Sequence, residues 1–152
     1  MAYKYNLSYN FTRYIVRGLE VLRPIIPVEL QYKSNEPIIY TMILDSGADI
    51  SLLSKDVGDS LGIDTDREPN DDVYGVTGHT PVIEEKIKIR FGMGSRYEFE
   101  AEIPMQITKK KGRPAIPALG REPIFREFDV HFRMGLKDDK KKFVLSKLWP
   151  NI

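Results

Sequence analysis

No cysteine occurs among the 152 residues, which removes disulfides, thiolate nucleophiles and cysteine-ligated zinc from consideration. Histidine is scarce as well. His79 and His131 are the only 2, too little imidazole for an ordinary metal site, and no metal or other cofactor is expected. A surplus of one charge is also missing: 23 Lys+Arg stand against 22 Asp+Glu, for a net charge of +1. That balance does not create the one-sided field of a dedicated nucleic-acid binder, so nucleic acid is not an expected partner. No apolar run is long enough to span a bilayer, and Met1-Ala2-Tyr3-Lys4-Tyr5-Asn6 does not begin a signal peptide. The expectation is a cytoplasmic protein without a membrane partner.

What the chain does have is alternation. With 41% apolar residues it is long enough to bury one core and too short for two ordinary domains, so a single domain over 1–152 is expected. Tyr3, Tyr5, Leu7, Tyr9 and Phe11 alternate with polar residues and read as a half-buried strand within an N-terminal extension, 1–22. Such a strand adds to the domain or to a dimer contact; a tyrosine stacking surface for single-stranded nucleic acid is the weaker alternative. Ile26, Val28, Leu30 and Tyr32 alternate next, Lys33-Ser34-Asn35-Glu36 turns the chain, and Ile38 to Leu44 returns as a strand apolar on both faces. A strand of that kind is expected to be covered on both sides. Ser51 or Ser54 is placed to cap a short helix that buries Val57 and Leu61 and stops at Gly62. The acidic stretch Asp64 to Asp72 lacks the spacing of a calcium loop and reads as a solvated loop.

Ile83, Ile87, Ile89 and Phe91, the turn Gly92-Met93-Gly94-Ser95, and Tyr97, Phe99, Ala101, Ile103 and Met105 predict a long hairpin with one dry face. Lys109-Lys110-Lys111-Gly112-Arg113-Pro114 is a basic loop too short and too common in type to predict DNA contact. A helix is expected over Arg121 to Phe128, with Ile124, Phe125 and Phe128 as its apolar stripe. Val130 and Phe132, a turn at Gly135-Leu136-Lys137-Asp138-Asp139, and Phe143 and Leu145 predict a closing hairpin. Short strands, many turns and two short helices describe a mainly β fold.

Asp45-Ser46-Gly47-Ala48 follows directly on the apolar strand and occurs once. A carboxylate at the end of a buried strand is costly unless it is used. The residues after it fit a use: Ser46 hydrogen-bonds, Gly47 admits close approach, and Ala48 leaves room. Its bland alternative is a strand-terminal turn whose carboxylate caps nearby amides. Gly75 and Gly78 bracket Val76-Thr77, as in a mobile hairpin tip that offers backbone amides.

In this order, Arg23-Pro24-Ile25-Ile26, Leu44-Asp45-Ser46-Gly47-Ala48-Asp49-Ile50, Tyr74-Gly75-Val76-Thr77-Gly78 and Leu119-Gly120-Arg121-Glu122 resemble the strand entry, active-site loop, flap and late-helix opening of the retropepsins. These are the single-domain aspartic proteases of retroviruses and their cellular relatives. The resemblance runs from Arg23 to Leu148, and its type is that of the small archaeal or bacterial members. It implies a closed, sandwich-like acid-protease fold with a flap hairpin. It also implies that Asp45 is catalytic, that Ser46 grips the neighbouring loop, and that Asp49 pairs with Arg121 and with Arg23 of the other subunit. Glu122 departs from the Asp or Asn usual after Gly-Arg. Ile50, Val76 and Val82 are candidate apolar walls for a peptide bound as an extended strand beneath Gly75, Val76, Thr77 and Gly78.

Peptide hydrolysis requires a base and an acid together, and two carboxylates sharing one proton at roughly 3 Å supply both. Asp56, Asp59, Asp129, Asp138 and Asp139 are not followed by Ser/Thr-Gly. On the protease reading, the second aspartate is therefore Asp45 of another copy, and a two-fold homodimer is expected. Either the N-terminal tyrosine strand or the closing hairpin is available as its terminal interface. The alternative function is a dimeric peptide-binding or scaffolding module that keeps the fold without turnover.

Overall fold

The computed structural model describes residues 2–69, 71–75, 78–109, 117–135, 137 and 140–150. The expected flap tip Val76-Thr77, the basic loop from Lys110 to Pro114, and Leu136, Asp138 and Asp139 of the closing turn lie outside them.

Among the described residues, twelve strands and two short helices follow one another: β1 (Tyr5–Asn10), β2 (Thr12–Val16), β3 (Leu19–Arg23), β4 (Ile25–Gln31), β5 (Ile38–Leu44), β6 (Ser51–Leu53), α1 (Lys55–Ser60), β7 (Asp71–Gly75), β8 (Gly78–Phe91), β9 (Phe99–Thr108), β10 (Ala118–Leu119), α2 (Ile124–Glu127), β11 (Phe128–Arg133) and β12 (Lys142–Lys147). The largest sheet runs β4-β5-β10-β6-β9-β8-β7, and β8 pairs again with β4. Hydrogen bonding thus returns to its first strand, closing a barrel from which β7 projects. A smaller sheet, β1-β12-β11, joins the two ends of the chain, and β2 pairs with β3 alone.

Alternation explains the hairpins. In β4, Ile26, Val28 and Leu30 are fully buried while Pro27 between them is exposed. In β8, Ile83, Ile87, Ile89 and Phe91 are fully buried, and β9 answers with Ile103, Met105 and Ile107. The turn between β8 and β9 holds Gly92 and Gly94 at φ 85 and 83, a region that L side chains rarely adopt. One continuous core takes Leu7 from β1, Phe143 and Leu145 from β12, and the barrel interior.

The N-terminal segment is therefore more than an appendage. Leu7 is buried, and β1 pairs along its length with β12, Tyr5 opposite Lys147 and Asn10 opposite Lys142. Its tyrosines are engaged: Tyr5 stacks on Tyr97 and Tyr9 on Phe143.

Three expectations are corrected. Strand β5 is not covered on both sides: Met42 and Leu44 are buried, but Ile39 is 64% exposed and Thr41 also faces outward. Its neighbour β10 is only two residues long and meets β5 solely at Ile43 and Leu44, so the first half of β5 has no β10 partner along that edge. Asp71 and Asp72 belong to strand β7 and not to the acidic loop. The late helix spans only Ile124–Glu127, because the backbone at Phe128 is already extended and opens β11; Ile124 and Phe128 are still buried.

Helix α1 forms as expected with Ser54 as its cap, the side chain accepting from the Val57 amide. Ser51, the other candidate cap, is buried in β6 instead. Where acidic residues gather after α1, an ammonium fills the space. Lys55 Nζ lies 3.3 Å from Asp59, 3.4 Å from Asp66 and 2.5 Å from Thr65 Oγ1.

Candidate active site

Asp45 leaves β5 where neighbouring backbone holds the strand on both sides. The Ile43 amide donates to Pro117 O at 2.9 Å, the Leu44 amide to Pro24 O at 2.9 Å, and the Asp45 amide to Leu119 O at 3.1 Å. The chain then turns tightly. The Ala48 amide donates to Asp45 O at 3.2 Å, and the Gly47 amide to the Asp45 carboxylate at 2.9 Å. Glycine suits that turn, because a Cβ on Gly47 would lie 3.2 Å from Asp45 Oδ1. The carboxylate, Ser46 and Gly47 are all exposed, so Asp45 stands at the surface of the single chain and not within its interior. The strand leading to it is anchored on both sides and its side chain is open to solvent.

The second half of the loop is clamped from the opposite end of the sequence. The Arg121 amide donates to Ala48 O at 2.9 Å and the Glu122 amide to Asp49 O at 2.8 Å, a parallel bridge centred on Ile50 and Glu122. The Gly120 amide donates to the buried Ser51 hydroxyl at 3.0 Å. Contact here is backbone to backbone: a Cβ on Gly120 would fall 2.6 Å from the Ile50 carbonyl carbon and 2.7 Å from its oxygen. The Arg121 guanidinium also donates to Asp49. Both side chains are more than half exposed, so in the single chain the pair is worth only ~0–1 kcal/mol.

The remaining candidates are dispersed. Arg23 lies over the ring of Tyr14, with its guanidinium carbon 4.8 Å from the ring centroid. Strands β7 and β8 form an antiparallel hairpin in which Gly75 pairs with Gly78; Val76 and Thr77, between them, are outside the described residues. Val82 is fully buried in the single chain, so its side chain offers no open surface to a peptide here. The reason is that β8 is covered on both faces at this point, with Ile83 fully buried as well.

Two residues of this clamp were not apparent from the sequence as site residues. Ser51 was visible only as a possible helix cap, and Gly120 only as part of a resemblance. A serine in an otherwise apolar Ile50-Ser51-Leu52-Leu53 run is the available signal, since a hydroxyl in such a strand needs a partner.

No family model and no curated protein matches this sequence. Solved structures do. A retropepsin-like aspartic protease from Rickettsia conorii is similar at a TM-score of 0.57 and 20% identity, over 94% of this chain and 92% of that one. The protease of EIAV, solved in complex with an inhibitor, is similar at a TM-score of 0.50 and 19% identity, over 68% of this chain and 86% of that one. By its fold this chain is retropepsin-like.

Proposed function

We propose that the protein is an aspartic endopeptidase whose active site forms when two copies meet and each contributes Asp45. The observation that carries this reading is the exposed Asp45 carboxylate at the end of a strand anchored by Pro24, Leu119 and Pro117. The likeness of the fold to two aspartic proteases supports it. A two-fold axis beside Asp45 sets the same carboxylate opposite itself. Two carboxylates ~3 Å apart then hold one proton between them. The ionised one takes a proton from a water molecule whose oxygen attacks the peptide carbonyl, while the protonated one donates to the carbonyl oxygen. Collapse of the tetrahedral intermediate breaks the C–N bond, and a carboxyl returns a proton to the departing nitrogen.

Ser46 beside the axis and the Asp49–Arg121 pair hold the loop, and Arg23 is available to the partner's loop. The β7–β8 hairpin serves as the flap over a peptide bound in extended form, with main-chain hydrogen bonds supplying affinity. The protein works as a single domain in the cytoplasm on unfolded or extended polypeptide.

The test is cleavage of unfolded protein substrates from acidic to neutral pH by the parent and by Asp45→Asn. The expected result is a loss of about 10²-fold or more in the variant with thermal stability retained. Equal cleavage by both would reject the protease and leave a peptide-binding module.

A further inference from the structure

Strands β2 and β3 form a two-stranded sheet that pairs with neither of the other sheets. Every residue of β2 is exposed. The turn at its tip is well made, with Arg17 at φ 51 and Gly18 at φ 78, the paired left-handed residues of a tight hairpin. A lone hairpin of this size is marginal in water, and this one has an unsatisfied surface. Its register sets Tyr14 opposite Val21 and Val16 opposite Leu19. Directly opposed residues share a face, so these four make one apolar face. Arg13 and Glu20 form an ion pair at 2.5 Å on the other face. Leu19 is 70% exposed, and Ile15, near the tip on the charged face, is 72% exposed.

The root of the hairpin shows where its apolar face is directed to work. Thr12 pairs with Arg23, the next residue is Pro24, and Pro24 O accepts from the Leu44 amide at 2.9 Å. The arm therefore springs from the same hydrogen-bonded rung that precedes Asp45. Strands of five residues reach ~17 Å. The terminal strands β1 and β12 pair with each other within one chain, and β12 has β11 on its other side.

We infer that the β2–β3 arm lies with its apolar face against a second copy of this chain and holds the two Asp45 loops together. The inference rests on the proposed protease, because a second Asp45 opposite the first brings the other copy's body against the root of this arm. By two-fold symmetry each arm clasps the other subunit.

The test uses the full chain with Val16→Thr and Leu19→Thr together, threonine keeping the strand preference while removing the apolar surface. Both residues are exposed, so the melting temperature of a dilute sample reports whether the variant folds, and Leu19→Thr alone, on the same apolar face, provides a second variant if it does not. Sedimentation over a dilution series should show a dimer for the parent and for Asp45→Asn. The arm variant's dissociation constant should rise about tenfold or more, with cleavage recovered at high protein concentration. A folded arm variant that dimerises like the parent overturns the inference and leaves the protease standing. If it stays dimeric yet cleaves poorly, the arm belongs to substrate capture and the inference again fails. A dimer that loosens in the arm variant, from a dimeric parent that itself never cleaves, supports the arm and rejects the protease. A parent that remains monomeric rejects both.

Discussion

Gly120 has no space for even one methyl group. The atoms that would meet a Cβ there are the backbone of Ile50 and Ser51, which move only by moving the loop that carries Asp45. Gly120→Ala is thus expected to cost about 1–3 kcal/mol of stability, seen as a lower urea midpoint, and to reduce cleavage further than that loss explains. The resemblance made Gly120 visible as the start of a motif, but its reason, a close approach between segments seventy residues apart, is non-local and has no trace in periodicity. Asp45 was legible because its pattern is local: a strand, a carboxylate and a glycine in succession. Its surface position was not legible, since an apolar strand before it suggests burial and the short β10, which pairs only with the end of β5, has no signature of its own.

Among the elements, β1 shows what alternation conveys and what it omits. Its inward positions were readable from the sequence, whereas its partner, β12, lies at the other end of the chain. Pairing with β12 buries Tyr9 Oη without a hydrogen bond of ordinary geometry. Burial dominates and pushes the phenol up from 10.0 to about 12, the Gly92 backbone opposing it more weakly. The sign of the consequence is definite. Above pH 10 the unfolded chain gives up this proton and the folded chain keeps it, so stability present below pH 10 falls as pH rises toward 12. The loss is about 1–2 kcal/mol once partial exposure is discounted. Tyr9→Phe should be within ~0.5 kcal/mol of the parent at pH 7 and should show a shallower decline in denaturation midpoint between pH 10 and 12. The β2–β3 arm escaped the sequence reading for the opposite reason. Its faces mix Ile15 with Glu20 and Arg13 with Leu22, so no clean alternation marks it, and only Arg17-Gly18 between two apolar pairs signals a turn.

For the whole molecule, closure of the barrel by the β4–β8 pairing makes the Asp45 loop part of a rigid body before any second copy arrives. Assembly then has only to bring two finished surfaces together. On the proposed reading, cleavage rate should rise with the square of protein concentration below the dimer dissociation constant and linearly above it. A rate linear at every dilution, measured alongside sedimentation that shows monomer, would contradict the shared site. The fold class could be read because each hairpin is written in consecutive residues. The closing of the barrel was expected from the resemblance alone and not from periodicity, because it depends on β8 being long enough to pair with β9 and then reach back to β4.

The exposure of Asp45 in the single chain bears on how a cell could harbour such an enzyme. On the proposed reading, a lone copy carries half of the chemistry and cleaves nothing by itself. Activity would then begin with encounter, so dosage would govern it: a modest drop in synthesis would silence the enzyme more than in proportion.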